Sequence, residues 1–483
     1  MSVSEGRRTN RYKEIAARLT SQIDAGVFLP DERLPSVRNL MQRENVSVTT
    51  ALRVFRALEE NGRAYARHRS GYFVRPRNSE AAWTPPRETA ERRFDGVPVA
   101  INHLVVDMLE TSAAANILPL GSAVLDRLLI PQSQLSRILI SIAKREADKS
   151  ACYTPPPGLF ELRCGIARLM GDRGVLCGPD DIIITAGDGA AIECALRIIA
   201  RPGDSIAIET PTYFGILQAI EAAGMKAVEI PTDPATGIDV EQLELAVQSQ
   251  KIAAVLLNPT LQNPLGFTMP AAHRERVVEM LAKARVPLIE DDVFHDLHTG
   301  QRQLSAMKSF DKDGMVLYCS SFSKVLTPGY RVGWCLPGRY RRQMMTDFLG
   351  RNLSISSLPQ LVLAEFLRKD YYEHHTAKLR DMFSLYPSKV DALIKKHFPK
   401  DTRVSQPEGG FVYWIELASP ISIAALYSAA LADGISIAPG PIFFASGSAN
   451  TTFRICIGRQ WTAKIEQAIA NIGRLCGMLI ASD

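Results

Sequence analysis

The sequence predicts two joined units of different class: a small N-terminal unit of three helices and a β-hairpin, and a large α/β domain with a mostly parallel sheet. Three observations carry this. A chain of 483 residues exceeds what one hydrophobic core serves. Basic charge is concentrated at one end, with 15 Lys+Arg against 8 Asp+Glu in residues 1–77 and 41 against 43 in the remainder. Beyond about residue 100, apolar β-type runs alternate with longer helical patterns, the signature of a sheet covered by helices on both faces.

In the N-terminal unit, Ile15, Leu19 and Ile23 recur every four positions between Tyr12 and Ala25, and Gly26 follows as a C-terminal cap, which makes a first helix. Pro35-Ser36 opens a second, carrying Val37, Leu40 and Met41, with Ser36 placed to cap its free amides. Ser47 caps a third, which buries Ala51, Val54 or Phe55, and Leu58 before stopping at Gly62. Ala64-Tyr65-Ala66 and Tyr72-Phe73-Val74 flank a turn at His68-Arg69-Ser70-Gly71 and read as a hairpin. The sum is a helix-turn-helix with a wing over residues 10–76. A basic module on a near-neutral body fits a polyanion partner, or a merely solvated face.

Residues 77–100 are polar and proline-bearing without an apolar period and read as a linker, leaving 101–483 for the large domain. There the runs at 182–184, 205–208, 253–257, 287–289 and 315–318 supply the strands. With 46% hydrophobic and 22% charged residues the composition is that of a globular protein, and no apolar run approaches the roughly 18 residues of a membrane span. The charged N-terminus has no apolar stretch behind it and reads as no secretory signal, so the expected location is the cytoplasm, without membrane contact. The eight cysteines are scattered without a CxxC pair, which favours reduced core thiols over disulfides and predicts no metal site.

The segment LPSVRNLMQRENVSVTTALRVFRALEENG, with ARHRSGYFV behind it, resembles the GntR family of winged-helix regulators. By that resemblance a helix starting at Ser47 enters the major groove, with Thr49, Thr50 and Arg53 contacting bases or phosphates. Arg38, and Arg67 and Arg69 in the wing, neutralise phosphates, Arg38 being the strongest candidate. The family usually has Arg directly after the capping Ser, where this chain has Val48, so base preference is expected to differ.

In the large domain, Ser320-Ser321-Phe322-Ser323-Lys324, followed by Gly329-Tyr330-Arg331-Val332-Gly333-Trp334, resembles the lysine motif of fold-type I pyridoxal-phosphate enzymes. The resemblance implies that Lys324 forms the internal aldimine and that Arg331, Ser321 and Ser323 grip the phosphate. Ile289-Glu290-Asp291-Asp292-Val293-Phe294 resembles the strand end whose aspartate, here Asp291, pairs with the pyridine nitrogen. Asn263 in the NPxxNPxG-like loop from Asn258 to Gly266 then bonds the phenolic oxygen, and Tyr213 stacks on the ring. Gly187-Asp188-Gly189 sits where strand becomes helix, offering the amides of Asp188 and Gly189 to phosphate. Tyr153 matches a tyrosine that reaches phosphate across a dimer interface, and Arg454 one that clamps a carboxylate. Two positions depart from the pattern: Phe294 stands where many relatives carry a tyrosine bonded to the phenolic oxygen, and Asp188 where they carry small or neutral polar residues. The Asp188 side chain is expected to turn away from phosphate.

A GntR-like head joined to an aminotransferase-like body is the arrangement of MocR-type regulators, which the chain resembles over nearly its whole length. This implies a large domain of fold-type I transferase class with a smaller C-terminal α+β subdomain. It also implies a head-to-tail homodimer, and an amine or amino acid effector that alters DNA affinity through the lysine-bound cofactor. The alternatives are a working aminotransferase with a vestigial DNA-binding head, and a regulator that senses pyridoxal phosphate itself.

Overall fold

The structure, a computed structural model, describes residues 3–24, 28, 32–44, 46–60, 63–67, 71–74, 96–99, 102–112, 114, 116–249, 251–300, 304–447 and 451–482. The chain divides into two compact units, residues 1–81 and 82–483.

In the first unit, α1 (Val3–Asp24), α2 (Val37–Glu44) and α3 (Val48–Glu60) precede β1 (Ala64–Arg67) and β2 (Gly71–Val74), paired antiparallel from Ala64↔Val74 to Arg67↔Gly71. The first helix thus begins at Val3, ahead of the Tyr12 that the apolar period suggested. Ile15, Leu19, Leu40, Ala51, Val54, Phe55 and Leu58 form the core. Both Val54 and Phe55 are fully buried, because the Phe55 ring also stacks on Tyr72 at 4.3 Å and ties α3 to the wing. A feature the sequence did not reveal is a further pairing at the wing: Leu34 N–H donates to Tyr72 O (2.9 Å) and Val74 N–H to Glu32 O (3.0 Å). Gly26, Gly62, Arg69 and most of the 77–100 linker lie outside the described residues. Residues 96–99 are described, and Val97 exchanges both backbone hydrogen bonds with Ala227 of the large unit (2.8 and 3.0 Å) while Val99 is buried.

The large unit is built on an eight-stranded sheet. Its strands are β3 (Ile183–Thr185), β4 (Ser205–Thr210), β5 (Lys226–Asp233), β6 (Gly237–Ile238), β7 (Ile252–Leu257), β8 (Leu288–Asp291), β9 (Val316–Ser321) and β10 (Gly333–Leu336). They lie in the order β3-β10-β9-β8-β7-β4-β5-β6. The run from β9 to β5 is parallel, whereas β10 is antiparallel to both of its neighbours. Every residue of β8 and β9 is buried, as both faces of a parallel sheet must be when helices cover them. Each apolar run singled out in the sequence falls on one of these strands.

A second, antiparallel sheet makes the smaller C-terminal part: β11 (Arg403–Val404), β12 (Val412–Glu416), β13 (Ala438–Pro439) and β14 (Thr452–Cys456), in the order β11-β12-β14-β13. An early segment is stitched into it. Leu118–Pro119 pairs in parallel with Ile435–Ser436, and Cys456 N–H donates to Leu120 O at 2.6 Å. Among the described residues no helix is long and apolar enough to cross a membrane, and no cluster of His, Cys, Asp or Glu is placed to hold a metal ion. Cys194, Cys319, Cys335, Cys456 and Cys476 are buried free thiols, but Cys152 is exposed, contrary to a uniform core role.

Candidate functional site

Parallel strands end on one edge of a sheet, so loops distant in sequence meet there. Because β10 runs the other way, Arg331, just before it, is delivered to the same edge. The loop after β3 turns at Gly187 (φ +93°), the N-cap of α4 (Asp188–Ile199). That φ is one side chains rarely adopt, which favours glycine, and the bare backbone lets the Arg331 guanidinium approach to 2.6 Å from where a Cβ would stand. Arg331 donates to Ser323 Oγ (3.4 Å) and Ala186 O (3.2 Å), and Ser323 N–H donates to Ser321 Oγ (3.3 Å). A Cβ at Gly189 would meet open space. Arg331, Ser321, Ser323 and the free amides at the start of α4 thus form a cup suited to an anion.

Beyond the cup lies the lysine. Lys324 Nζ donates to Ala123 O at 2.9 Å and lies 5.9 Å from the centre of the Tyr213 ring. Burial, reinforced by Arg454, pulls its pKa down against the attraction of Asp291 and Asp188, which favours the neutral amine a nucleophile needs. Burial pushes the Tyr213 phenol up to about 12.

Asp291 is 2% exposed, and among the described residues its Oδ1 has no hydrogen-bond partner. Burial, with Asp188 and Asp292 adding to it, raises its pKa well above the ordinary range. Its backbone oxygen accepts from Asn258 Nδ2 (2.7 Å), while Asn258 Oδ1 accepts from Asn263 N (2.8 Å) and Asn258 N donates to Glu209 Oε2 (2.8 Å). Asn258 therefore fixes Asp291 and Asn263 together. Sequence reasoning quoted it only as the first letter of the loop, although that place beside the second asparagine was the available signal. Arg454 is fully buried; its Nη1 donates to Asn263 Oδ1 (2.8 Å), its Nη2 to Gly121 O, and its plane lies over Phe443 at 4.9 Å.

Strand alternation sends Asp292 to the other side. There its Oδ2 takes His295 Nδ1 (2.7 Å) and the Tyr318 hydroxyl (3.0 Å), and Arg173 bonds Tyr318 and, at 2.7 Å, Asp296. Burial opposes ionisation of Asp292, but His295, Arg173 and Arg274 outweigh it and hold its pKa far below the usual value. Phe294 is 1% exposed and meets Phe411 edge-on at 5.7 Å.

Lys324, Asp291, Asp188, Asn263, Arg454 and Tyr213 are thus brought together, with Arg331, Ser321, Ser323 and Gly189 beside them. Tyr153 is not, being 78% exposed. In the small unit, Ser47 Oγ accepts from Thr50 N (3.2 Å), and Thr49, Arg53 and, on α2, Arg38 are exposed. Val48 is half exposed at the first position of α3. Arg67 closes the hairpin through its backbone, and Arg69 lies outside the described residues.

Residues 11–74 match the bacterial regulatory proteins of the gntR family, and residues 128–472 match aminotransferase class I and II. YdcR of Escherichia coli (strain K12), an uncharacterized HTH-type transcriptional regulator, is 35% identical over 96% of this chain and 98% of its own length. YjiR of the same organism, also an uncharacterized HTH-type transcriptional regulator, is 35% identical with the same coverage. Among solved structures, the kynurenine aminotransferase of Pyrococcus horikoshii superposes with a TM-score of 0.72 at 26% identity, over 77% of this chain and 94% of that one. With a gntR-type head and an aminotransferase-type body matched along one chain, and regulators aligned over both, the protein belongs to the MocR-type regulators of the GntR family.

Proposed function

We propose that this DNA-binding regulator holds pyridoxal phosphate in the cleft at the strand ends and changes its DNA affinity when an amine or amino acid reacts there. The observation that carries the reading is the unpartnered, buried Asp291 Oδ1 facing the same cleft as Lys324, since a buried orphan acceptor calls for a ligand donor. The residues fit the cofactor. The cup at Arg331, Ser321, Ser323 and the Asp188 and Gly189 amides holds its phosphate, Tyr213 covers the ring, and Asn263 donates to the phenolic oxygen. Asp291 holds a proton at the ring nitrogen. Bound there, the cofactor supplies an electron-withdrawing ring and an aldehyde that joins covalently to an amine. Lys324 contributes that amine from a dry environment, and Arg454 receives the effector's carboxylate.

Two copies pair head to tail, so that the exposed Tyr153 of each reaches the other's phosphate cup. The head reads double-stranded DNA through α3 with Ser47, Thr49, Thr50 and Arg53, helped by Arg38, Arg67 and Arg69, in the cytoplasm. The test is binding to the chain's own promoter region at several salt concentrations, with and without cofactor and candidate amines. Affinity should fall steeply with salt. Arg53→Ala should weaken it by about 1–3 kcal/mol while leaving the cofactor spectrum unchanged. Salt-independent or absent binding would refute the reading. Amino-group exchange measured on the same samples decides whether the intact set of Lys324, Asn263 and Arg454 also turns over.

A further inference from the structure

One helix behind the cleft touches both strand ends that carry its reactive groups. The helix α5 (Tyr371–Phe383) buries Tyr372, His375, Thr376, Leu379 and Phe383, a stripe at helical spacing that faces the core. His375 is only 7% exposed, and a buried imidazole costs free energy unless it finds a partner. Its Nε2 lies 2.8 Å from the carbonyl oxygen of Val325, the residue after Lys324. A carbonyl only accepts, so Nε2 carries the hydrogen. Burial lowers the pKa of His375 and outweighs the opposing hydrogen bond to Val325, which keeps the ring neutral near pH 7.

The turn that carries Lys324 is closed by its own backbone. Phe322 O accepts from Leu326 N (2.9 Å) and Thr327 N (3.2 Å), and Phe322 N donates to Val332 O (3.2 Å). Those bonds set its shape but not its tilt against the rest of the domain. The Phe322 ring meets Tyr372 edge-on at 5.6 Å, so α5 holds the turn on both sides of the lysine. From the same helix the Tyr372 hydroxyl donates to Asp296 Oδ2 and Arg380 Nη1 to Asp296 O (2.9 Å), in the turn His295–Leu297 that follows Asp291. The lysine's turn and the segment after the aspartate are thus tied to one element.

We propose that His375 is a positioning residue for Lys324: by holding the Val325 carbonyl it sets the tilt of the turn, and with it where Nζ stands relative to Asp291 and the anion cup. The proposal rests on the cofactor reading above. The buried side chains of Val325 and Leu326 keep the turn close, but apolar packing has no preferred direction, whereas a hydrogen bond has one. Nζ stands at the end of a long, flexible arm, so a small rotation of the turn moves the amine out of reach of a reacting carbon. This gives a buried imidazole on an otherwise packing face a use: it orients a backbone that carries the nucleophile.

Two probes separate placement of the ligand from placement of the amine in the full-length protein. Pyridoxine 5′-phosphate, which has no aldehyde, reports occupancy of the cleft by calorimetry. Pyridoxal 5′-phosphate reports bonding to Lys324, in which Nζ adds to the aldehyde carbon and one water leaves, by the growth of its absorption in stopped flow. His375→Ala and His375→Leu should bind the first probe within about twofold of wild type yet bond the second about ten- to a hundredfold more slowly. His375→Gln, whose amide donates to the same carbonyl, should recover most of the rate even if its denaturant midpoint stays as low as that of His375→Leu. Should the first two variants not fold, His375→Gln and His375→Asn, which ends short of the carbonyl, carry the comparison. Bonding at the wild-type rate without a donor, no recovery in His375→Gln, or loss of both probes in step with the denaturant midpoint would overturn the role and leave the cofactor reading intact. If wild type binds neither probe, the cofactor reading falls and the positioning role with it.

Discussion

Asp291 and Asp292 are neighbours in the chain and opposites in their surroundings. One faces the cleft and is driven toward its neutral form. The other faces His295, Tyr318 and, through them, the Arg173 network, and is driven toward its charged form. Both are buried, so burial alone does not decide a carboxyl's state; the donors supplied by the fold do. Each keeps one Oδ1 without a partner among the described residues, so the difference lies in what else surrounds the carboxyl: Asp292 Oδ2 takes His295 and the Tyr318 hydroxyl with Arg173 and Arg274 nearby, whereas Asp291 is faced by further carboxyls.

Substitutions on the two faces should therefore separate binding from stability. The largest effect is expected at Lys324→Ala, which should abolish the absorption of lysine-bound cofactor while leaving unfolding unchanged, read by absorbance and by denaturant titration. An unchanged spectrum would place the reactive amine elsewhere.

On the opposite face, Arg173→Ala should cost about 3–5 kcal/mol, since it deprives the fully buried Asp292 of a nearby cation and leaves the part-buried Asp296 with the Tyr372 hydroxyl but without its ion-pair partner. Asp291→Asn should cost little stability, because it removes a buried carboxyl with an unmet oxygen, yet should weaken cofactor binding. Denaturant midpoints and cofactor titrations of both variants check the contrast, which fails if Arg173→Ala proves as stable as wild type.

A smaller effect concerns pH. Glu209, pushed up to about 8 by burial, binds its proton more tightly folded than unfolded. Its contribution is thus complete below the ordinary glutamate value and is lost as pH rises from about 4.3 toward about 8. Glu209→Gln should flatten the decline of stability over that window, measured as unfolding midpoint against pH. A decline as steep as in wild type would show that the carboxyl is already charged in the fold.

The smallest shift is expected at Phe294→Tyr. A hydroxyl that reaches the cofactor's phenolic oxygen should lower, by a fraction of a unit, the pH at which lysine-bound cofactor loses its proton. No shift, or an upward one, would place this ring outside hydrogen-bond reach and within the apolar packing against Phe411.

The strands and the lysine-to-arginine motif were legible in the sequence because their signals are local: an apolar run, a fixed spacing, a capping serine. The Arg173 network was not, since Arg173 and Asp296 stand 123 positions apart and either alone resembles a surface charge. The burial of Asp188 Oδ1, which has no partner among the described residues, was legible only as a departure from pattern. The pairing of Val97 with Ala227 was hidden inside a polar, proline-bearing stretch, where two alternating valines are too few to read as a strand. Local rules gave the scaffold and its cup, while the donors that assign each carboxyl its state come from the tertiary fold.

The segment that follows Leu118–Pro119 has a consequence for selectivity. Its carbonyls at Gly121 and Ala123 already accept hydrogen bonds from Arg454 and Lys324, the two groups an amino acid would engage. These carbonyls are tethered competitors, present at constant effective concentration whatever the solution contains. A ligand's apparent affinity is lowered by the fraction of molecules in which they hold the site. A carboxylate forms charge-assisted bonds roughly twice as strong as those to a neutral carbonyl and can displace Gly121 O, whereas a neutral amide exchanges like for like. The backbone thus sets a threshold that favours a charged carboxylate over a neutral amide at Arg454.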